Sequence, residues 1–352
     1  MENMVNNISK KYLKNKRVLI FGHSGFVGSW LTLTLSLFKS KVLGISLKMP
    51  NKNYLSNTKK FKKSFKAINC NIKNLDKIKS KIINFKPEII IHLASQPLVK
   101  EGFKNPLSTY ETNIIGTLKI LELSREISSV KKILVFTSDK VYSNIENKTL
   151  TENSRLGGLD PYSASKSCQD IISQSYRFSF LNKKRLIILR SGNIIGGGDW
   201  ANNRIIPDII RSYLNNKVLK IRSIDSTRPW IHILDVLNAI LLLLTKKKFK
   251  NNHNLIFNLS PKIRKQVSVK KILNLISKHT SIKELKVKRI KSNIKEKKYL
   301  HISSKKALKE LGWVTKLDLK NALNLTINFY LLSKKTIYVE AINQIKKFFL
   351  LR

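Results

Sequence analysis

The chain has 352 residues, enough to bury a large core, and its 42% hydrophobic and 8% aromatic residues are typical of a globular protein and exclude a disordered one. Its 68 Lys and Arg outnumber its 21 Asp and Glu and give a net charge of +47, but the lysines are spread along the whole chain, which favours a compositional bias over a nucleic-acid-binding surface. No apolar run is long enough to span a membrane, and the polar, lysine-rich N-terminus is not typical of a secretory signal.

The first predicted elements are a strand and a helix joined by a glycine turn. The apolar run 18–21 precedes Gly22, Gly25 and Gly28, spaced G-x-x-G-x-x-G, and an amphipathic stretch that ends near Lys39 follows. Glycine lets the backbone reverse and approach a pyrophosphate, and the start of the helix offers free N–H groups and a positive dipole end. The spacing therefore predicts a dinucleotide site, although such triplets also occur in ordinary turns.

Strands and helices then alternate along the chain. Further strands are predicted at 41–47, 67–70, 88–94, 132–137 and 185–190, helices at 75–84, 106–125 and 162–180, and a basic, polar loop at 48–66. This alternation predicts an α/β fold with a doubly wound parallel sheet. Beyond Ser191 the pattern becomes irregular, which indicates a smaller lobe laid over the carboxyl ends of the strands.

Tyr162 and Lys166 are the first candidates for chemistry. They stand four residues apart at the start of a predicted helix and so share a face. The lysine ammonium can lower the tyrosine pKa, and the phenolate can then accept a proton from a substrate hydroxyl. Ser138, just past a predicted strand, is placed to hydrogen-bond the same substrate oxygen. A serine-rich turn and a surface Tyr/Lys pair remain the alternative, because lysine is so common in this chain.

Several further motifs accompany these residues: the strand end at 92–96, Asn113 within 112–117, Gly-Gly-Asp-Trp at 197–200 and Thr-Arg-Pro-Trp at 227–230. From about residue 16 to 313 the chain thereby resembles the extended short-chain dehydrogenase/reductase family, and within it the CDP-glucose 4,6-dehydratase group. The resemblance implies a Rossmann-type NAD-binding domain at residues 1–190. It also implies a partly interleaved C-terminal lobe at 191–352 that binds a nucleotide sugar.

The resemblance also implies a reaction. Hydride passes from C4 of the glucose unit to NAD while Tyr162 removes the O4 proton, water is lost across C5–C6, and the hydride returns to C6 to leave a 4-keto-6-deoxy sugar. The catalytic residues implied are Ser138, Asp139, Lys140, Tyr162 and Lys166. Asp139 would protonate the departing C6 oxygen, and Lys140 would take the C5 proton in place of the Glu of the dTDP-glucose enzymes. The alternative for Lys140 is an ordinary loop lysine.

Binding residues follow from the same resemblance. Those implied for the cofactor are Gly22, Ser24, Gly25, Phe26, Val27, Gly28, Ser46, Asn71, Ile72, Leu93, Ala94, Ser95, Asn113, Tyr162 and Lys166. Those implied for the substrate are Gln96, Asn193, Arg204 and Arg228. Three positions depart from the usual pattern: no acid follows the second strand, where Ser46 with Lys48 could accept a 2′-phosphate; Asn71 replaces an Asp; and Val27 replaces a Lys.

Other functions stay open at this point. The Asp139–Lys140 pair disfavours both a dTDP-glucose or GDP-mannose dehydratase, which uses an acidic pair, and a 4-epimerase, which loses no water. A non-catalytic binding protein on the same scaffold is the alternative from another class. We expect no specific nucleic acid, no membrane and no metal, and a cytoplasmic location, since Cys70 and Cys168 have neither metal nor disulfide spacing. A homodimer or higher oligomer through helices 106–125 and 162–180 is implied by the family.

Overall fold

The structure is a computed structural model. It describes residues 2–48, 55–143, 148–250, 254–261, 267–282, 284–290, 299–333 and 335–350.

A seven-stranded sheet forms the centre of the molecule. Its strands are β1 (Arg17–Phe21), β2 (Lys41–Ser46), β3 (Lys66–Asn69), β4 (Ile89–His92), β5 (Lys132–Phe136), β6 (Arg185–Ser191) and β7 (Ile256–Leu259). They lie in the order β7-β6-β5-β4-β1-β2-β3, and every neighbouring pair is parallel. The predicted doubly wound sheet is confirmed. Its strand order reverses between β1 and β4, where such folds bind ligands.

Fourteen α-helices are described. They are α1 (Glu2–Leu13), α2 (Phe26–Leu37), α3 (Lys59–Lys63), α4 (Lys79–Phe85), α5 (Val99–Lys104), α6 (Pro106–Tyr110), α7 (Gly116–Glu126), α8 (Pro161–Ser179), α9 (Ile205–Leu214), α10 (Ile233–Thr245), α11 (Val269–His279), α12 (Lys305–Leu311), α13 (Leu319–Leu331) and α14 (Ile337–Phe349). In the described part of the chain, none of them is both long and apolar enough to cross a bilayer.

The core lies on both faces of the sheet. Successive residues of β1 point to opposite faces, so Val18 and Ile20 pack under α2 and α10 while Leu19 and Phe21 pack under α7. This burial on both faces explains why the strands read as continuous apolar runs rather than as alternating ones.

A third apolar cluster belongs to the smaller lobe, where α9, α11 and α13 pack together. The sheet itself is not confined to residues 1–190, because β7 comes from the C-terminal region and pairs with β6. The two predicted regions thus interleave.

Some predicted elements differ in detail. The helix predicted at 106–125 is α6, a π-helical turn at Glu111–Ile115 and α7. The wider turn brings Asn113 into the interior, where it is fully buried. Within the predicted loop 48–66, α3 forms around the buried Phe61, and residues 49–54 lie outside the described ranges.

Candidate active site

The glycine turn after β1 is as tight as its spacing predicts. Gly22 has φ +87°, and a Cβ at this position would lie 2.6 Å from the Ala94 nitrogen. A Cβ on Gly28 would lie 2.0 Å from the Gly22 carbonyl oxygen, so α2 packs directly on the turn. Gly25 precedes α2 without any side-chain cap, and no acidic residue occupies the first helical turn. This cradle of backbone N–H groups fits the pyrophosphate of a dinucleotide.

The turn opens onto a cavity of about 590 Å³ at the carboxyl edge of the sheet. Twelve residues predicted for the cofactor line it: Gly22, Ser24, Gly25, Phe26, Val27, Gly28, Ser46, Asn71, Ile72, Leu93, Ala94 and Ser95. The five predicted catalytic residues line it too: Ser138, Asp139, Lys140, Tyr162 and Lys166. So do three predicted substrate residues: Asn193, Arg204 and Arg228. The structure therefore brings together 20 of the 22 predicted residues.

The two remaining residues, Gln96 and Asn113, are not among those that line the cavity. The Asn113 amide donates to Ser165 Oγ at 2.9 Å and to the Gln96 carbonyl at 3.1 Å, and its oxygen accepts from the Gln96 nitrogen at 2.8 Å. The Gln96 side chain bonds Leu98 and Thr109 instead of facing the cavity. These bonds tie the loop after β4 to α8, and the ligand contacts predicted for Gln96 and Asn113 stay predictions.

Tyr162 occupies the first turn of α8. Pro161 begins the helix and Asp160 caps it by accepting from the Ser163 nitrogen at 3.0 Å, which fixes the position of Tyr162. Burial raises the pKa of Tyr162 to about 12, against the lowering effects of a hydrogen bond with Ser138 and of the Arg204 charge. The phenol is therefore neutral near pH 7 unless a further cation acts on it.

Lys166 lies one turn further along α8. It is only 3% exposed, and burial lowers its pKa to about 7. Its Nζ donates to Gln169 Oε1 at 2.9 Å. The alternative of a surface Tyr/Lys pair is excluded, because both side chains are buried and line the cavity.

Ser138, Asp139 and Lys140 form a short turn after β5. Ser138 Oγ accepts from the Lys140 nitrogen at 3.2 Å and donates to Asp139 Oδ1 at 3.0 Å. Asp139 is 2% exposed, whereas Lys140 is partly open to solvent. The turn thus presents a hydroxyl, a buried carboxyl group and an amine to the same cavity as Tyr162.

At the end of β2, where the ribose-binding acid is missing, the chain has hydroxyl groups instead. Ser46 Oγ lies 3.0 Å from His23 Nδ1 and donates to Ser24 Oγ at 2.7 Å. Burial lowers the pKa of His23 to about 4, so this ring is neutral at pH 7. The end of β2 therefore offers polar but uncharged groups.

The opposite wall comes from the smaller lobe. Arg204 precedes α9 and pairs with Asp199 at 2.8 Å, and Arg228 is buried on the short strand Thr227–Arg228. Sequence reasoning missed Lys220 and Arg222, which also line the cavity. The alternation Leu-Lys-Ile-Arg at 219–222 is the signal that could have identified a strand with a basic edge there.

Comparison with known proteins identifies the family. The profile of the GDP-mannose 4,6 dehydratase family matches residues 19–326. The chain is 39% identical over 243 residues to the CDP-glucose 4,6-dehydratase of Salmonella typhimurium, covering 67% of this chain and 68% of that protein. It is 31% identical over 258 residues to the dTDP-D-glucose 4,6-dehydratase of Dictyostelium discoideum, covering 68% and 58%.

Solved structures share the fold. UDP-glucose 4-epimerase of Thermotoga maritima, in complex with UDP-glucose, superposes with a TM-score of 0.78 at 20% identity, covering 89% of this chain and 98% of that one. dTDP-glucose 4,6-dehydratase of Bacillus anthracis, in complex with NAD, superposes with a TM-score of 0.76 at 21% identity, covering 90% and 96%.

Proposed function

Because this chain belongs to the GDP-mannose 4,6 dehydratase family, we propose that it converts CDP-glucose to CDP-4-keto-6-deoxyglucose and water. It is an NAD-dependent enzyme of nucleotide-sugar metabolism, as its dehydratase relatives are. The observation that best supports a dehydratase reaction is that Ser138, Asp139, Lys140 and Tyr162 line the same cavity.

NAD supplies the reversible hydride acceptor of this reaction. The residues of the chain move the protons. Tyr162, hydrogen-bonded to Ser138, takes the proton from O4 of the sugar, and Lys166, one turn further along α8, would in its charged form favour the phenolate. Lys140 then removes the proton from C5, which is acidic beside the C4 ketone, and Asp139 protonates the C6 oxygen as it leaves as water. Arg204 and Arg228 hold the pyrophosphate of the nucleotide sugar.

The Asp139–Lys140 pair favours a dehydratase over a 4-epimerase. An epimerase needs no acid or base beyond the group that transfers the O4 proton. A buried carboxyl group and an amine beside it would therefore have no role in an epimerase reaction. For the nucleobase, the support is the 39% identity to the Salmonella CDP-glucose enzyme. The remaining candidates are dTDP-glucose, GDP-mannose and UDP-glucose.

Mass spectrometry separates these functions. We expect CDP-glucose, incubated with the purified protein and NAD, to lose the mass of one water, and Tyr162→Phe to abolish this loss while NAD still binds. A product of unchanged mass would identify an epimerase. If dTDP-glucose, GDP-mannose or UDP-glucose is converted while CDP-glucose does not react, the proposed cytosine nucleobase is refuted. If none of the four is converted, the protein is a binding protein.

A homodimer is the second part of the proposal. The neighbouring helices α6 and α8 carry large apolar side chains in the open: Leu107 is 71% exposed, Ile171 52% and Phe178 85%. Ile171 and Phe178 are seven residues apart and share one face of α8. Since a face of this kind is typically covered in the assembled protein, a second copy of the same two helices is the occupant we infer.

Sedimentation velocity tests the dimer. The wild-type protein should sediment as a dimer and Phe178→Glu as a monomer. Val339→Glu, which alters an exposed valine on α14, across the sheet from α8, should remain dimeric. A monomeric wild-type protein would contradict this part of the proposal.

A further inference from the structure

A polar cluster with no assigned role lies behind Lys166. It joins three elements, since Gln169 is on α8, Thr117 on α7 and His92 on β4. All three side chains are 0% exposed. Burying an amide, a hydroxyl and an imidazole is costly unless each finds partners, so such a cluster is expected to serve a purpose.

The hydrogen bonds fix the orientation of the Gln169 amide. The ammonium form of lysine can only donate, so with a charged Lys166 the oxygen of Gln169 must face its Nζ, at 2.9 Å. Independently, Thr117 Oγ1 donates to the Asn113 carbonyl at 2.7 Å and must therefore accept from Gln169 Nε2, at 3.0 Å. Both constraints select the same orientation of the amide.

His92 completes the clamp on Gln169. Its Nε2 lies 2.9 Å from Thr117 Oγ1 and 3.2 Å from Gln169 Nε2. Burial, with the Lys166 charge as the smaller cause, lowers the pKa of His92 to about 3, so the ring is neutral. Three titratable groups lie around Lys166. His92 on β4 is thus uncharged, and Tyr162 lies on α8 itself. The charge of Asp139, in the turn after β5, raises the pKa of Tyr162.

We propose that Gln169 is a positioning residue, which holds the Lys166 ammonium in the cavity wall beside Tyr162 through a neutral amide oxygen that Thr117 and His92 keep in place. Among the described residues, Gln169 provides the one side-chain oxygen to which Lys166 Nζ donates. Lysine has three N–H donors, so two remain for a ligand in the cavity. A neutral acceptor favours the charged amine without adding the negative charge that would raise the pKa of Tyr162.

The catalytic part of this inference rests on the proposed function, whereas its effect on Lys166 itself does not. Removing the amide oxygen should make the buried ammonium less stable and lower the titration midpoint of Lys166 by about 1 pH unit, because a hydrogen bond to a charged group is worth roughly that much. It should also lower kcat about ten-fold with little change in the KM for the nucleotide sugar.

The variants isolate the amide. Gln169→Met keeps the length and volume of the side chain but removes both hydrogen-bonding groups. Thr117→Val removes only the anchor of the amide and should act in the same direction but less strongly. The double variant should match Gln169→Met alone, since the anchor has no other route to Lys166. Ser173→Ala removes a buried hydroxyl of α8 whose one hydrogen-bond acceptor among the described residues is the Gln169 backbone carbonyl, and serves as the control.

The titration midpoint of Lys166 can be measured by trace acetylation of the cofactor-free protein with acetic anhydride at a series of pH values. Mass spectrometry of the peptide that contains Lys166 gives the extent of acetylation at each pH. We expect a lower midpoint in Gln169→Met and an unchanged one in Ser173→Ala. Equal midpoints in these two variants would overturn the inference. If Gln169→Met does not fold, Thr117→Val decides by the same measure. A shifted midpoint in a protein that turns over no nucleotide sugar would instead refute the proposed function.

Discussion

At the scale of single residues, Asp139 and Lys140 are neighbours in the chain with different surroundings. Asp139 is buried and accepts from Ser138, whereas Lys140 is partly exposed. The proposed division of roles gives Asp139 the departing C6 oxygen and Lys140 the C5 proton. A lysine can take that proton only where burial or a neighbouring cation lowers its pKa.

Replacing Lys140 tests this division of labour. Lys140→Met should lower turnover by about 10²- to 10⁴-fold, because proton transfer at C5 would lack its base. The first hydride transfer should persist, so the ultraviolet absorbance of the reduced cofactor should build up with substrate. Lys100→Met, which alters another lysine that lines the cavity, is the matched control. Undiminished exchange of solvent deuterium into C5 by Lys140→Met would rule out this role.

At the scale of elements, two glycines of the turn after β1 are needed for different reasons, one for the fold and one for ligand binding. Gly28 is needed by the protein itself, since a Cβ there would meet the Gly22 carbonyl at 2.0 Å and the His23 Cα at 2.8 Å. A Cβ on Gly25 would meet nothing closer than the Gly22 carbonyl at 3.5 Å, and its φ of −68° suits any residue. Gly25 is therefore needed only for the close approach of a ligand.

Two alanine variants should consequently fail in different ways. Gly28→Ala should destabilise the cofactor-free protein by about 1–3 kcal/mol, the usual cost of overpacking. Gly25→Ala should unfold at the same urea concentration as wild type but bind NAD at least about ten-fold more weakly, measured by calorimetry. Wild-type NAD affinity in a folded Gly25→Ala would place the pyrophosphate elsewhere.

The helix that carries Tyr162 and Lys166 is anchored by a buried ion pair. Arg190 of β6 donates to both oxygens of Asp170 on α8 at 2.7 Å, and the two side chains are 1% and 0% exposed. Arg190 also donates to the Tyr142 hydroxyl at 2.8 Å. The pair holds α8 against the sheet at the level of the active site.

Removing one charge from this pair should be costly. Asp170→Asn leaves a buried guanidinium without its counter-charge and should destabilise the fold by about 3–5 kcal/mol. Asp225→Asn breaks the exposed Asp225–Arg289 pair and should cost about 0–1 kcal/mol. Urea unfolding at neutral pH compares the two variants, and equal losses would show that the buried pair contributes no more than the surface one.

At the scale of the whole molecule, the sequence predicts those elements that a local pattern of residues determines. The glycine spacing and the continuous apolar runs identified β1, β4, β5 and β6, and residues at the carboxyl ends of parallel strands necessarily meet. Contacts made across the fold were not predictable. Arg222, which lines the cavity, follows the strand Leu219–Ile221, and this strand pairs with Val287–Arg289 far along the chain. Gln169 meets Lys166 inside a cluster assembled from three elements. In a chain with so many lysines, the burial of Lys166 could be known only from the packing around it.

Stability against acid is also a property of the whole molecule, because three of the six histidines are buried in different places. Burial lowers the pKa of His23 to about 4 and that of His92 and His232 to about 3, the Lys166 charge being a second cause at His92. Their unfolded value is about 6.5. Between about pH 4 and 6.5 the unfolded chain therefore binds more protons than the folded one, so the free energy of unfolding falls as the pH falls.

Three carboxyl groups oppose this trend, because burial raises the pKa of Glu152, Asp208 and Asp235 above their ordinary values. Burial raises the pKa of Asp235 to about 7, so its carboxyl group binds a proton in the folded state first. Burial also lowers the pKa of His301, which adds to the effect of the three buried histidines. Each proton that unfolding takes up makes the free energy of unfolding fall by about 1.4 kcal/mol per pH unit. Urea unfolding from pH 7.5 to 4.5 should show this slope.

A histidine variant tests the source of the slope. His232 caps α10 by accepting from the Leu234 nitrogen at 3.3 Å, a role that the Asn side-chain oxygen can fill. His232→Asn should therefore keep the helix but remove one of the protons that unfolding takes up, and so reduce the slope by about 1.4 kcal/mol per pH unit. His279→Asn, at a partly exposed histidine in the last turn of α11, controls for the loss of a histidine as such. An unchanged slope in His232→Asn would mean that the buried histidines do not govern acid unfolding.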